Sequence, residues 1–423
     1  MAGLKTFEAW QAGARRRLPR FAFDFADGGA DDEVTLRRNR TAFDDLSLIP
    51  RVLAGVENAS TEVADLFGHR LALPVLLAPT GDSRILGPQA ELAQAKGANA
   101  AGTISILSGV ASMPPDRVAA AVPEPGWAQI FLYRDRQVTQ QAVERVKRLG
   151  FSALVLTVDG PVKGNRERDI RNGFALPLKP TPTMALQNVR HWKWMWDYFT
   201  TDPKAGGADP GLAARIRTLL AQRHQQPLSV PAVFHVNQSW EDLEWLRTVW
   251  EGPLLLKGVM CGQDADLAIA AGCDGVIVSN HGGRELDGSP ASIEVLPEVV
   301  AAVGGRAQVL IDGGIRRGTD VVKALSLGAT ACLVGRPWLF ALAVAGADGV
   351  HEMLEQLRTE ILHAMQLVGV TSVDQLGPDY IRRRSGSGWE TVYDNGLSKR
   401  AESVQPGVAG GGAFTNVHPI AKK

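Results

Sequence analysis

DADLAIAAG at residues 264–272 leads directly into CDGVIVSN at residues 273–280. The first part reads as a helix, and the glycine at its end can adopt the left-handed backbone that closes one. The second part is a short apolar run of the kind that forms a buried parallel strand, and it ends in polar residues. The pattern therefore predicts a helix, a tight turn and a parallel strand.

The same order of helix, glycine and strand recurs along the chain. The further copies are ELAQAKGANAAG before TISILS, VTQQAVERVKRLG before FSALVLTVD, and DVVKALSLG before ATACLVGRP. Four apolar runs, LALPVLLAPT, WAQIFLY, GPLLLKGV and AQVLIDGG, bring the candidate strands to eight, near residues 73–80, 103–108, 127–132, 153–159, 253–259, 274–280, 307–313 and 330–335.

Eight such units predict an α/β fold, the (β/α)8 TIM barrel, whose usual size of about 250 residues fits the span from the first run to about residue 370. An open doubly wound sheet is the alternative architecture. It is weaker because no GxGxxG follows the first strand and because the recurrence continues beyond five or six strands.

The rest of the chain falls into three further parts. Residues 1–72 are predicted to form an N-terminal helical cap on a barrel of residues 73–383. A loop at about 175–228 is inserted after the fourth barrel strand, and residues 384–423 form a flexible C-terminal tail. Long insertions of this kind are commonly lids or binding loops.

Composition excludes several classes of protein. Lysine plus arginine number 45 and aspartate plus glutamate also number 45, so the chain has no broad positive field to attract nucleic acid. Three cysteines without CxxC spacing argue against a disulfide framework or a structural zinc site, and we expect no metal. No secretory leader or long apolar run is evident, which predicts a cytoplasmic protein.

In a barrel of this kind, the active site lies at the carboxyl ends of the strands. The residues that close the eight runs are therefore the candidate site residues: Pro79, Thr80, Gly81, Ser108, Gln129, Thr157, Asp159, Lys257, Ser279, His281, Asp312, Gly313, Gly314, Gly335 and Arg336.

The last two strand ends have the features of a phosphate site. IDGGIRRGTD passes from strand to helix through Gly313 and Gly314 with Arg316 close by, and GRP adds Arg336. Backbone N–H groups at a helix N-terminus together with arginines suit a phosphorylated cofactor or substrate. The alternative is that the glycines only form tight turns.

His281 lies at a predicted strand end, and Arg284 follows three residues later. A histidine can take a proton near neutral pH, and a guanidinium can hold a carboxylate through two hydrogen bonds. The pair predicts a base and an anchor for an acid substrate. Asp159 could orient His281, or it could simply cap the next element, and Lys257 could offset negative charge on a reduced cofactor.

These motifs together resemble the FMN-dependent α-hydroxy acid oxidases and dehydrogenases, the family of glycolate oxidase, lactate monooxygenase and mandelate dehydrogenase. SNHGGRELDG, LLLKGV, LTVD with GNRERDIRNGF, IDGGIRRGTDVVKALSLGA and GRP follow in the same order as in that family. The resemblance covers about residues 5–383 and is nearest to mandelate dehydrogenase, through GNRERDIRNGF, SWEDLEWLRTVW and GPDYI.

The resemblance implies FMN as cofactor and assigns roles to matching residues. His281 would be the base with Asp159 as its partner, Arg284 and Arg166 would hold the substrate carboxylate, and Lys257 would lie near flavin N1. Ser108, Gln129, Thr157 and Ser279 would contact the isoalloxazine and ribityl chain. The ribityl and phosphate groups would be held by Asp312, Gly314, Arg316, Gly335 and Arg336. The family also implies a homotetramer, and O₂ or a quinone or protein as electron acceptor.

Three departures from the family pattern concern the substrate. Phe23 and Phe131 stand where the family is expected to present tyrosines, and Gly87 replaces a histidine in GDSRILGPQAE. Each lost phenol removes a hydrogen-bond donor worth about 1–3 kcal/mol to a buried polar partner. We therefore expect an aromatic or bulky substrate rather than glycolate or lactate. Gly81 resembles the mandelate dehydrogenase pattern and is expected to enlarge the space near flavin N5.

The insert contains HWKWMWDYF at residues 191–199. Tryptophans beside basic residues suit a membrane interface, which is the role of the corresponding loop in mandelate dehydrogenase, so residues 190–199 are a candidate for peripheral membrane contact. The alternative is a lid that packs its tryptophans over the substrate.

The sequence thus predicts FMN-dependent oxidation of an (S)-2-hydroxy acid, aromatic or bulky and mandelate-like, to the 2-oxo acid. Whether the proton leaves oxygen or carbon is left open. The first alternative is the same flavin chemistry on an amino acid, an amine or a modified peptide. The second is a flavin-binding protein without turnover, which would need neither a base nor a carboxylate anchor.

Overall fold

The structure is a computed structural model that describes residues 6–174, 188–200, 234–385 and 388–390. The segment before the barrel contains three helices, α1 (Phe7–Arg17), α2 (Arg20–Asp27) and α3 (Val34–Asp44), and three short strands, β1 (Leu46–Leu48), β2 (Val63–Leu66) and β3 (His69–Leu71). Strands β2 and β3 pair with each other, antiparallel, as a separate hairpin.

Eight parallel strands follow: β4 (Val75–Leu77), β5 (Ile106–Leu107), β6 (Trp127–Ile130), β7 (Ala153–Thr157), β8 (Leu254–Val259), β9 (Gly275–Val278), β10 (Gln308–Ile311) and β11 (Ala331–Val334). They are hydrogen-bonded in the order β4-β11-β10-β9-β8-β7-β6-β5. A parallel bridge between Leu77 and Ser105 joins the two ends of that order. The predicted barrel is confirmed with all eight strands, and the open sheet is wrong.

The helices after β4 are α4 (Ala90–Ala100), α5 (Pro115–Ala119), α6 (Arg136–Arg148), α7 (Glu167–Arg171), α8 (Trp192–Thr200), α9 (Trp240–Val249), α10 (Gly262–Ala270), α11 (Ser292–Val303), α12 (Gly318–Ser326) and α13 (Arg336–Val368). Helix α13 is kinked, because Ala345 and Gly346 have non-helical backbone angles.

Two glycines show why the helix–glycine–strand pattern predicted the fold. Gly272 and Gly328 follow the ends of α10 and α12 with φ of +92° and +95°, a backbone that L side chains rarely adopt. The chain can therefore reverse at once and enter the next strand. The strands themselves form the core: every residue of β7, β9 and β11 is buried.

The C-terminal part returns to the start of the chain. Strand β12 (Ile381–Ser385) pairs antiparallel with β1 on one side and with β13 (Gly388–Glu390) on the other. The domain boundary expected at residue 383 therefore falls inside β12. Most of the expected insert, residues 175–187 and 201–228, and of the tail, residues 391–423, lies outside the described residues.

Across the described segments, no helix is both long and apolar enough to span a membrane.

Candidate active site

The carboxyl ends of the eight strands meet at one face of the barrel, and the polar side chains there are buried. Ser108, Gln129, Thr157, Lys257, Ser279 and Asp312 are each at most 7% exposed. Thr157 and Lys257 are register partners on β7 and β8. Residues that are far apart in the sequence are thus brought into one polar ring.

Lys257 lies inside this ring. Its Nζ donates to Ser279 Oγ at 2.8 Å and lies 3.3 Å from Asp312 Oδ2. Burial alone would lower the pKa of Lys257, but the carboxylates of Asp312 and Asp159 raise it above its usual value. The strand ends therefore hold a permanent ammonium charge.

His281 and Asp159 form the second charged contact. Nδ1 of His281 lies 3.0 Å from Asp159 Oδ1, which leaves Nε2 as the ring nitrogen that Asp159 does not contact. Burial alone would raise the pKa of Asp159, but its contact with His281 and the charge of Lys257 hold it below its usual value. Gly258 makes this approach possible, since a Cβ there would lie 2.6 Å from Asp159 Cβ.

Arg284 follows His281 on the loop after β9. It donates to the backbone oxygens of Phe25 at 2.8 Å and Gly28 at 3.0 Å. Burial and the neighbouring cations Arg166 and Arg336 lower its pKa well below the ordinary value. No described carboxylate lies within ion-pair distance of Arg284, so an anion bound here would relieve an unfavourable cluster of like charges.

Arg166, the second predicted anchor, is already paired. Its guanidinium lies 2.6 Å from Glu285 Oε1, and the other oxygen of Glu285 accepts from Gly164 N at 2.7 Å. Of the two predicted carboxylate anchors, Arg284 is therefore the one whose charge lacks a described acidic partner.

The arginines predicted at the phosphate site are partly buried, and no described carboxylate lies within ion-pair distance of either. Arg316 donates to the oxygen of Ile315, and Arg336 donates to the backbone oxygens of Ala26, Gly28 and Gly282. Burial, with the charges of neighbouring arginines, lowers the pKa of Arg316 to about 9. Burial likewise lowers that of Arg336 to about 10. Two guanidinium groups without a described carboxylate at ion-pair distance favour a bound phosphate.

Several buried polar atoms at the strand ends have no hydrogen-bond partner among the described residues. They are Thr80 Oγ1, Thr157 Oγ1, Asp159 Oδ2 and Asp312 Oδ1. An unsatisfied buried polar group costs about 1–3 kcal/mol. All four belong to the set of site residues predicted from the sequence, so the ring has the unmet hydrogen-bonding capacity that a polar ligand would use.

Gln129 and Ser108 are linked to each other at this face. Gln129 Oε1 accepts from Gly109 N at 3.0 Å and lies 3.4 Å from Ser108 Oγ. Pro79 and Gly335 lie at the ends of the adjacent strands β4 and β11, and a Cβ at Gly335 would be 3.8 Å from the methyl group of Thr80. Gly313 and Gly314 both have positive φ, and a Cβ at Gly314 would lie 1.8 Å from Asn39 O.

The structure corrects the expectation for Phe23. Its ring is 3% exposed, stacks on Phe340 at 5.6 Å, and lies 4.6 Å below the guanidinium of Arg15. Phe25 instead lies beside the anchor, with its ring centre 5.4 Å from the guanidinium carbon of Arg284. An α-helix turns 100° per residue, so residues two apart face different directions, and the sequence motif alone did not show which ring faces Arg284.

Phe131 and Gly81 have close neighbours. The centre of the Phe131 ring lies 5.2 Å from that of Phe234, which is the first described residue after the insert.

A Cβ at Gly81 would lie 2.4 Å from Val110 Cγ2. The expectation that Gly81 enlarges the site is therefore not supported, because Val110 occupies the space that glycine leaves.

The described part of the insert packs against the loop after β4. Trp194 is 8% exposed and donates from Nε1 to Ile85 O at 2.8 Å, while its ring meets Phe21 edge-on at 5.4 Å. Trp192 and Trp196 are each 66% exposed. One tryptophan thus anchors α8, and two face outward.

Two residues near the site were missed by sequence reasoning. Asp82, directly after Gly81, has its pKa raised to about 6 by burial and by Glu91. Asn39 of α3 bonds to Asn280, next to His281. A carboxylate beside a predicted cofactor loop could have been singled out, whereas no local pattern identifies Asn39.

The comparisons with known proteins agree with this geometry. Residues 14–383 match the family model described as FMN-dependent dehydrogenase. The chain belongs to this family. It is 41% identical over 372 residues to glycolate oxidase 1 of Zea mays, covering 88% of this chain and 94% of that one. It is 40% identical over 380 residues to L-lactate dehydrogenase of Ectopseudomonas mendocina, covering 88% and 97%.

Solved structures give the same family. The crystal structure of the monotopic membrane protein (S)-mandelate dehydrogenase matches with a TM-score of 0.82 and 34% identity, covering 90% of this chain and all (100%) of that one. A mandelate oxidase with benzoyl-formic acid matches with a TM-score of 0.73 and 38% identity, covering 87% and 96%. The predicted family resemblance is confirmed.

Membership of the FMN-dependent dehydrogenase family makes FMN the cofactor, and the site fits it. Thr80, Thr157 and Asp312 offer buried polar atoms without partners, while Arg316 and Arg336 offer guanidinium groups without acidic partners. Lys257 adds a fixed positive charge within the same ring. When bound, FMN accepts two electrons from the substrate.

Proposed function

We propose that the protein oxidises an (S)-2-hydroxy acid to the 2-oxo acid. The proposal rests on the loop after β9, which carries both a histidine suited to act as a base and an arginine suited to bind a carboxylate. Its His281 contacts Asp159 at 3.0 Å, and its Arg284 has no described acidic partner. A protein that only stored FMN would need neither group.

Each site residue has a separate role in the proposed reaction. Arg284 binds the substrate carboxylate and so fixes the hydroxyl-bearing carbon near His281. His281 takes a proton on Nε2, and Asp159, ionised because its pKa is lowered, stabilises the resulting imidazolium through Nδ1. Lys257 offsets the negative charge that two-electron reduction brings to the ring of strand ends.

For the substrate we propose an aromatic or otherwise bulky 2-hydroxy acid. Support comes from two aromatic rings: Phe25 lies beside Arg284, and Phe131, at the end of β6, packs on Phe234. Neither ring carries a hydroxyl group, so both offer apolar surface rather than hydrogen bonds to a small polar acid. Two structural neighbours, a mandelate oxidase and a mandelate dehydrogenase, are consistent with this choice.

One anaerobic experiment tests the proposal. FMN-loaded protein is mixed with matched pairs of acids: mandelate with lactate, and 2-hydroxyoctanoate with glycolate, each beside the corresponding 2-amino acid. Bleaching of the flavin absorbance by the larger hydroxy acids is the expected result. Bleaching by amino acids alone would replace the proposal with amine oxidation, and no bleaching by any compound would overturn it.

We also propose peripheral membrane contact through residues 190–199; the proposed electron acceptor is O₂, a quinone or a protein. The exposed Trp192 and Trp196 beside Lys193, together with a monotopic membrane neighbour, support this. Sedimentation with anionic vesicles should carry the protein into the pellet, and replacing Trp192 and Trp196 by serine should release it. Full recovery in the supernatant at low salt would contradict the contact. That the protein is a homotetramer stays a prediction, and light scattering would measure its oligomeric state.

A further inference from the structure

Asn39 and Asn280 form a buried, reciprocal pair of amide side chains. Asn39 Nδ2 donates to Asn280 Oδ1 at 2.9 Å, and Asn280 Nδ2 donates to Asn39 Oδ1 at 2.8 Å. They are 2% and 7% exposed. The two residues are 241 positions apart, so the pair joins α3 to the loop after β9. Two complementary hydrogen bonds fix both the distance and the orientation of the amide planes.

The pair lies at the start of an unusual turn. His281, Gly282 and Gly283 follow Asn280 with φ of +56°, +65° and +74°. Glycine adopts this backbone readily, whereas it is uncommon for any residue with a side chain, histidine included. A left-handed backbone at His281 therefore needs support from elsewhere in the structure.

The Asn280 side chain supplies that support from inside the loop. Its Oδ1 also accepts from Gly283 N at 3.2 Å, and its Nδ2 also donates to Pro290 O at 2.9 Å. The amide therefore spans the turn that carries His281. Because Asn280 is itself held by Asn39, the orientation of the turn depends on helix α3.

Helix α3 fixes the neighbouring loop as well. The carbonyl oxygen of Asn39 lies 1.8 Å from where a Cβ of Gly314 would be, and Arg40 Nη1 donates to Asp320 Oδ2 at 2.7 Å. One turn of α3 thus contacts both the loop that holds His281 and the loop after β10.

We propose that Asn39 is a positioning residue for the reaction: it holds the turn at His281 so that Nδ1 meets Asp159 and Nε2 faces the substrate. This inference rests on the proposed role of His281 as the base. Asn39 acts through Asn280 and does not touch the reacting atoms.

The test compares Asn39→Leu with Arg38→Met. Leucine has a similar volume to asparagine and removes both hydrogen bonds of the pair. Arg38→Met removes a different contact between α3 and the barrel, the ion pair of Arg38 with Glu294 on α11. We expect Asn39→Leu to slow flavin reduction by about 10–100-fold, since small misplacements of a reacting group cost that much. Arg38→Met should reduce at the parental rate.

A double-mutant cycle with His281→Ala shows whether Asn39 acts through His281. In that background, Asn39→Leu should cause no further loss of rate. An equal loss in both backgrounds would overturn the proposal, as would a parental rate in the single variant. If Asn39→Leu does not fold, Asn39→Ser replaces it and the same outcomes apply.

A readout without turnover separates this inference from the proposed function. The Nδ1–H of His281 bonded to Asp159 should give a downfield proton resonance, assigned by its loss in His281→Ala. The resonance should persist in Arg38→Met and vanish or move in Asn39→Leu. If it is unchanged in Asn39→Leu, the positioning role is wrong even where the enzyme is active. If it changes but no hydroxy acid reduces the flavin, only the proposed function fails.

Discussion

The carboxylate of Asp159 uses only one of its oxygens in the contact with His281. Oδ1 lies 3.0 Å from Nδ1 of the imidazole, while Oδ2 is buried without a hydrogen-bond partner in the described structure. The contact with His281 and the positive charge of Lys257 together stabilise the ionised carboxylate. We therefore expect the negative charge of Asp159, and not only its size, to stabilise the protonated form of His281.

Replacing Asp159 by asparagine keeps the size of the side chain and removes the charge. We expect the rate of flavin reduction to fall by about 10²–10⁴-fold, because an amide does not stabilise the imidazolium. Stopped-flow reduction measures this. The matched control is Asp242→Asn, since Asp242 of α9 lies 3.2 Å from Nε2 of His235 in the same kind of carboxylate–histidine contact. That variant should keep the parental rate, and a parental rate in Asp159→Asn would contradict the role.

Lys257→Met tests the buried ion pair. The substitution leaves Asp312 buried without its cation, which we expect to lower the free energy of unfolding by about 3–5 kcal/mol in the protein without FMN. Urea denaturation measures the change. Adding Asp312→Asn should restore part of the stability. If the single and double variants are equally unstable, the loss comes from packing and not from the unpaired charge.

Phe25 and Phe23, two positions apart on α2, allow a substitution at the site to be compared with the same substitution in the core. Phe25→Tyr places a phenol beside Arg284, so it should raise kcat/KM for lactate relative to mandelate. Phe23→Tyr places the same group against Phe340 in the core, where it should lower stability by about 1–3 kcal/mol and leave substrate preference unchanged. Opposite results would return the substrate role to Phe23.

The parts of the structure that depend on a local sequence pattern could be predicted. Strand ends, helix-closing glycines and the residues of the polar ring follow from short motifs, because parallel strands of a barrel bring their carboxyl ends to one face. The contacts that were missed join distant parts of the chain. Phe25 reaches Arg284 across 259 positions, and Asn39 reaches Asn280 across 241. Such contacts depend on how α2 and α3 dock, and no periodicity specifies that.

The surroundings of Gly81 could not be predicted from the sequence either, because they depend on a contact with Val110. Its absent side chain suggested extra space, but Val110 fills it, so Gly81→Ala should lower the free energy of unfolding by about 1–3 kcal/mol. In a Val110→Ala background the loss should be smaller, because the closest atom, Val110 Cγ2, is gone while the backbone oxygen of Val110 stays 3.1 Å from the new Cβ. Thermal unfolding of the parent, the two single variants and the double variant measures both losses. Equal losses in both backgrounds would mean that another neighbour causes the clash.

Asp82 gives a prediction about pH. Burial and Glu91 raise its pKa to about 6 from 3.8, so between these pH values the folded protein holds a proton that the unfolded chain has released. The contribution of Asp82 to stability therefore falls as pH rises from about 4 to 6, by at most about 3 kcal/mol, and by less because the side chain is partly exposed. Asp82→Asn lacks this penalty. Its stability relative to the parent should grow from pH 4.5 to pH 7 and then level off, as measured by urea denaturation. Asp348→Asn makes the same change on the exposed surface of α13 and should show no such trend. If the two variants behave alike across this range, the environment of Asp82 does not favour its protonated form, and the burial argument for that carboxylate is wrong.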